Sequence, residues 1–102
     1  MGSYLFVYYG GMMATTPAEQ KKSMDAWMGW FGKLGRALVD GGAPTKPGKI
    51  LGKSGAKAIG ANPVTGYSIV KAANLDAAIV MAKGCPSIPD GGQVAVYELL
   101  PM

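Results

Sequence analysis

One absence governs the chemistry open to this chain: its 102 residues include no histidine. Without imidazole, the side chain best poised for proton transfer near neutral pH, only phenols, carboxylates, amines and a single thiol remain. Tyr9, Asp40 and Glu98 are the candidate proton-moving groups. A carboxylate buried beside a tyrosine hydroxyl would have its pKa raised toward a useful range. Tyr8, Tyr9, Trp27, Trp30 and Tyr67 are candidates for an aromatic wall against a planar ligand, with Lys46 as an anion anchor. The competing reading is that such an aromatic set is core or interface. Cys85 follows a predicted helix C-terminus, whose partial negative charge disfavours a thiolate, so an inert or buried thiol is expected.

With one cysteine and six scattered carboxylates, no spacing resembles a zinc, iron or EF-hand site, and neither metal nor cofactor is expected. Lys46, Lys49, Lys53, Lys57 and Lys71 lie in a stretch without any acid, between Asp40 and Asp76, and account for much of the net charge of +4. Such a cluster attracts anions. Lysines on an exposed hairpin also discourage edge-to-edge aggregation, and only Tyr67 is at hand to stack a base, so a nucleic-acid partner is not expected. Gly52-Lys53-Ser54 mimics the end of a phosphate-binding loop, but Pro47 stands where that motif needs glycine.

These residues must be held by some arrangement of strands and helices. Tyr4 to Tyr9 is β-branched and aromatic and ends at Gly10-Gly11, which predicts a strand. Thr16-Pro17-Ala18-Glu19 carries a threonine N-cap, proline at the first helical position and glutamate three residues after the cap. The helix it opens carries an apolar stripe of Met24, Trp27, Met28, Phe31, Leu34 and Leu38 and is predicted to run to Gly41-Gly42. Gly29, Gly32 and Gly35 inside it each cost about 1 kcal/mol relative to alanine, which close packing on a sheet or approach of a ligand would offset. Short strands are predicted around Lys49 to Leu51 and Lys57 to Ile59. A strand over Tyr67 to Ala72, an Asn74-capped helix over Leu75 to Lys83 and a strand over Gln93 to Leu99 follow.

One domain over residues 1–102 is expected from the length, and the apolar content of 49% against 16% charged marks a folding chain. Tyr4 to Tyr9 is far short of a membrane span and no positive charge precedes it as in a signal peptide. A cytoplasmic protein without a membrane partner is therefore expected. Two helices cover one side of an antiparallel sheet, yet Leu5, Val7 and Tyr9 alternate with Tyr4, Phe6 and Tyr8, and Ala95, Tyr97 and Leu99 with Val94, Val96 and Glu98. Both faces are apolar, and a homodimer packing sheet on sheet would cover the second.

Several blocks carry a resemblance to a known family. They are Leu5-Phe6-Val7-Tyr8 with Gly10-Gly11, Ala26-Trp27 through Trp30-Phe31-Gly32-Lys33-Leu34-Gly35, Leu38-Val39-Asp40, Asn62-Pro63 with Gly66-Tyr67-Ser68, Leu75-Asp76-Ala77-Ala78, Ala82-Lys83-Gly84-Cys85-Pro86, and Gly91-Gly92-Gln93-Val94. Together they resemble the YciI-related (YCII) family. The resemblance implies an α+β fold: a ferredoxin-like βαββαβ subunit, its antiparallel sheet carrying two helices on one face, pairing into a dimeric α/β barrel. That class includes ring-opening, isomerising and dehalogenating enzymes and many members without known activity. Relatives with this pattern look to carry histidine where this chain has Tyr9 and Ser87 and glutamate where it has Ala95. The Asp-Gly-Pro-Phe segment of another branch is replaced by Ala61-Asn62-Pro63-Val64.

Two functions of different class are consistent with these residues. One is a small-molecule-binding or accessory homodimer without a conventional catalytic site, holding an apolar or aromatic ligand among Tyr8, Tyr9, Trp30, Lys46, Tyr67 and Ser87. The other is a small isomerase- or lyase-like enzyme, dehalogenation included, acting on an aromatic or lactone-like metabolite through Tyr9, Tyr67, Asp40 or Glu98. A carboxylate buried beside a phenol in a cavity favours the enzyme, and an apolar cavity favours the binder.

Overall fold

Thr16 sets the first helix as its sequence requires: extended at φ −114°, its hydroxyl accepts from the backbone N–H of Glu19 at 3.2 Å, with Pro17 opening the first turn. In the computed structural model, which describes residues 2–10, 16–46, 48–60 and 62–101, this helix is α1, Pro17–Leu34. Strands β1 (Gly2–Tyr9), β2 (Leu38–Asp40), β3 (Lys49–Gly52), β4 (Gly55–Ala58), β5 (Val64–Ala72) and β6 (Gln93–Glu98) complete the chain with helix α2, Leu75–Ala82. Asn74 caps α2 by accepting from the N–H of Ala77 at 2.8 Å. Gly11, Pro47 and Ala61 lie outside the described residues.

The fold is α+β, with a four-stranded antiparallel sheet in the order β2-β5-β1-β6, compatible with a ferredoxin-like arrangement. Two expectations are corrected. The apolar stripe continues through Leu38 because Leu38 packs against the same core, but it does so from β2 and not from a helix. Gly35, with φ +54°, ends α1 in a conformation that disfavours side chains, and a short 3₁₀ turn over Gly35–Ala37 leads into the strand. The sheet's second strand is thus Leu38–Asp40, while among the described residues β3 and β4 pair with each other as a separate hairpin.

The second correction concerns the helix glycines. A Cβ at Gly29, Gly32 or Gly35 would meet no described residue within 4 Å, so none of them lets α1 approach the sheet. Close packing needs glycine elsewhere: at Gly42, φ +72°, a Cβ would collide with the carbonyl of Tyr67 on the neighbouring strand.

Both helices pack against one face of the sheet. Tyr4, Phe6 and Tyr8 of β1 and Ser68, Val70 and Ala72 of β5 are buried there with Trp30, Ala78, Ala82 and Cys85, and Val94 and Val96 of β6 border the cluster. Phe6 stacks on Trp30 with ring centroids 6.1 Å apart, and Tyr8 meets Trp27 edge to face at 4.8 Å. The Trp30 indole N–H donates to the carbonyl of Met81 at 3.2 Å and ties α1 to the end of α2. The molecule is only 19 Å through its thinnest dimension, the depth of one helix layer on one sheet. Its radius of gyration, 14.7 Å, exceeds the roughly 13 Å of a compact chain this long. No described helix is long and apolar enough to cross a membrane.

Candidate functional site

Tyr9 ends β1 beside a register shift against β5, and Gly10 at φ +65° turns the chain away. On its other side Tyr9 pairs with Gln93, the first residue of the edge strand β6. The connection into β6 is wound tightly. The Ser87 carbonyl accepts from the N–H groups of Asp90 (3.2 Å) and Gly92 (2.8 Å), and that of Cys85 accepts from Ile88 at 3.2 Å. A Cβ on Gly92 would stand 2.8 Å from the Ser87 carbonyl oxygen and 3.0 Å from that of Tyr9, so the turn closes against β1 only because this residue is glycine.

Between this turn and the strand ends lies an open groove of about 480 Å³, lined by Tyr9, Asn62, Ile88, Gly92, Gln93, Val94 and Ala95. Among the described residues its polar equipment is a phenol and two carboxamides, and the rest is apolar or backbone. Such groups orient a ligand through hydrogen bonds, and neither carboxamide shuttles protons. Tyr9 and Ala95 line the groove, and Ser87 stands behind it, holding Gly92 in place. Asn62, Ile88 and Gln93 were not anticipated. Their signal in the sequence is only that of turn and strand-start residues.

The other expected site residues do not converge on the groove. Tyr8 and Trp30, each 5% exposed, belong to the core beneath α1. The Tyr8 hydroxyl donates to Ser68 Oγ at 2.8 Å, and Ser68 Oγ donates in turn to the Gly41 carbonyl at 2.8 Å, which satisfies the polar atoms sealed there. Burial pushes the Tyr8 phenol well above its ordinary range, more than the Ser68 hydrogen bond lowers it. Tyr67 lies on the opposite sheet face, paired across from Val7, so the aromatic set is divided by the sheet. Lys46 is exposed on the connection ahead of β3.

Asp40 is exposed and its Oδ1 accepts from the Gly42 N–H at 2.8 Å, an internal turn contact. Glu98 is exposed on β6 opposite Tyr4. Neither lines the groove. Cys85 is 1% exposed with its Sγ 3.2 Å from Ser87 Oγ, and burial raises its thiol pKa, as expected of an inert thiol. Among the described residues no three carboxylates or thiols gather as metal ligands.

The sheet face turned away from the helices carries Leu5, Val7, Tyr9, Tyr67, Ile69, Ala95 and Tyr97 side by side in register. Tyr67 and Tyr97 are 37% and 54% exposed. The groove opens at the β6 corner of this face, where Tyr9, Gln93 and Ala95 stand. No family profile and no curated protein sequence matches this chain.

Proposed function

We propose that this chain is a YCII-related subunit of a homodimer of the dimeric α/β barrel class. It binds a small, largely apolar or aromatic ligand and performs no imidazole-type proton transfer. The observation that carries this reading is the uncovered apolar sheet face, with the Tyr9 groove opening onto its corner. A contiguous apolar surface of this kind marks an interaction site, and an isologous partner covers it with a copy of itself. Sheet packed on sheet roofs the groove over Gln93 and Ala95 and leaves the Tyr9 phenol and the Asn62 and Gln93 amides to orient the ligand. No described residue that lines the groove is a carboxylate, and this, with the exposed positions of Asp40 and Glu98, supports a binder over a carboxylate-driven enzyme.

The test is calorimetric titration with a panel of phenols, lactones and chlorinated aromatics, paired with turnover assays. Trp27 and Trp30 lie on the far side of the sheet, so a fluorescent reporter belongs at Tyr97→Trp. Saturable binding without turnover, weakened about tenfold or more by Tyr9→Ala, supports the reading. Turnover that survives Tyr9→Phe and disappears in Asp40→Asn or Glu98→Gln overturns it.

A further inference from the structure

The β3–β4 hairpin stands apart from the sheet, and its composition is unlike the rest of the chain. Every residue of it except Gly55 is exposed. An isolated two-stranded hairpin is marginally stable in water and ordinarily rests on a helix or a third strand. This one also exposes Ile50 (59%) and Leu51 (77%). Lys49, Lys53 and Lys57 lie on the hairpin and Lys46 ahead of it, all exposed, and no acid occurs anywhere between Asp40 and Asp76.

The register determines what can cover such a hairpin. Leu51 pairs with Ala56 and Lys49 with Ala58 on one face, while Ile50 pairs with Lys57 on the other. The two large apolar side chains therefore point in opposite directions. A protein surface laid against one face leaves the other apolar group in water. A lipid interface surrounds a shallowly inserted hairpin, so it takes up both at once, while the lysine stems lie along the acyl boundary and their ammonium groups reach the phosphate plane. Residues 43–60 hold neither arginine nor an aromatic side chain, so the fork that grips a nucleic-acid phosphate and the ring that stacks on a base are both missing.

We propose that the β3–β4 hairpin is a peripheral docking arm for anionic lipid surfaces, with Ile50 and Leu51 seated among the headgroups and Lys46, Lys49, Lys53 and Lys57 paired with lipid phosphate. The expectation of no membrane partner rested on the lack of a spanning segment, and a peripheral contact needs none. The arm is separate from the Tyr9 groove and from the apolar sheet face, so it stands whether or not the proposed ligand binding does.

The experiment is co-sedimentation of the full chain with vesicles of phosphatidylcholine alone and of phosphatidylcholine containing one third phosphatidylglycerol. Binding to the anionic vesicles alone, abolished in molar salt, is expected. Lys53→Gln with Lys57→Gln weakens it about 30-fold, since each lysine near an anionic surface contributes about fivefold. Leu51→Ser weakens it roughly tenfold through lost apolar burial. Neither variant touches the core, so circular dichroism and solution mass stay as in the parent. No binding to anionic vesicles, or equal binding to neutral ones, overturns the proposal. So does tighter, variant-sensitive binding to a DNA duplex, which assigns the lysines to nucleic acid, or a change of solution mass in the variants, which makes the hairpin a contact between chains.

Discussion

The two faces of one sheet differ in what covers them, although the residues that build them are drawn from the same types. On β5, Ser68, Val70 and Ala72 face the helices and are almost wholly buried, while Tyr67 and Ile69, alternating with them, face outward. On β1, Phe6 is sealed beneath Trp30, while Leu5 and Val7, its neighbours in sequence, are only half-buried. The covered face holds its one hydroxyl pair in closed hydrogen bonds, and the open face holds apolar groups whose remaining area is still in contact with water. A side chain's type therefore does not say whether its own chain buries it. That is decided by where α1 and α2 can reach.

The largest expected effect is on the covered face. Phe6→Ala removes a fully buried ring from its stack on Trp30 and should cost about 3–5 kcal/mol. The denaturant midpoint should fall, and the fall should not depend on protein concentration. Leu5→Ala, one residue along, should cost less and in a concentration-dependent way if a second chain covers it. Equal, concentration-independent losses at the two positions would break the distinction between the faces.

Ser68→Ala leaves the Tyr8 hydroxyl without its acceptor and the Gly41 carbonyl without its donor, both within the protein. A loss of about 1–3 kcal/mol is expected, and Tyr8→Phe combined with Ser68→Ala should cost less than the sum of the single changes. Additive losses in a denaturation double-mutant cycle would show that the two groups do not form one unit.

Stability should also fall with pH above the ordinary thiol range. Burial raises the Cys85 pKa in the folded chain, so the unfolded chain loses its proton first. Folding is therefore unaffected below about pH 8.5 and weakens above it, by at most about 1.4 kcal/mol per pH unit from this group. Tyr8 acts in the same direction from about pH 10, where an unfolded phenol ionises. In Cys85→Ala the earlier decline should vanish when midpoints are compared from pH 7 to pH 9.5.

The smallest effect sharpens the reading of α1. Gly29 and Gly32 face open space, so alanine at either should stabilise the protein by about 1 kcal/mol. A loss in thermal midpoint would mean that something other than the described residues approaches the helix there.

Much of the fold was legible because it is locally encoded. The Thr16 and Asn74 caps and the apolar runs of β1, β5 and β6 act through neighbouring residues, and each lies where the sequence places it. The end of α1 was not legible, because Leu38 extends the helical spacing while belonging to a strand, and only the left-handed backbone of Gly35 separates the two. Of the expected site residues, Tyr9 lines the groove. Tyr8 and Trp30 point the other way, since consecutive strand residues alternate and only the register decides which face takes the helices. Asn62 and Gln93 reach the groove through turns whose geometry no local pattern specifies.

The central claim, that a second copy covers the open face, is tested most directly by sedimentation equilibrium at micromolar concentration. The account predicts twice the 10.5 kDa chain mass, reduced to the single-chain mass by Val7→Glu with Ile69→Glu while the far-ultraviolet circular dichroism is kept. A stable species of 10.5 kDa for the unmodified chain would contradict it.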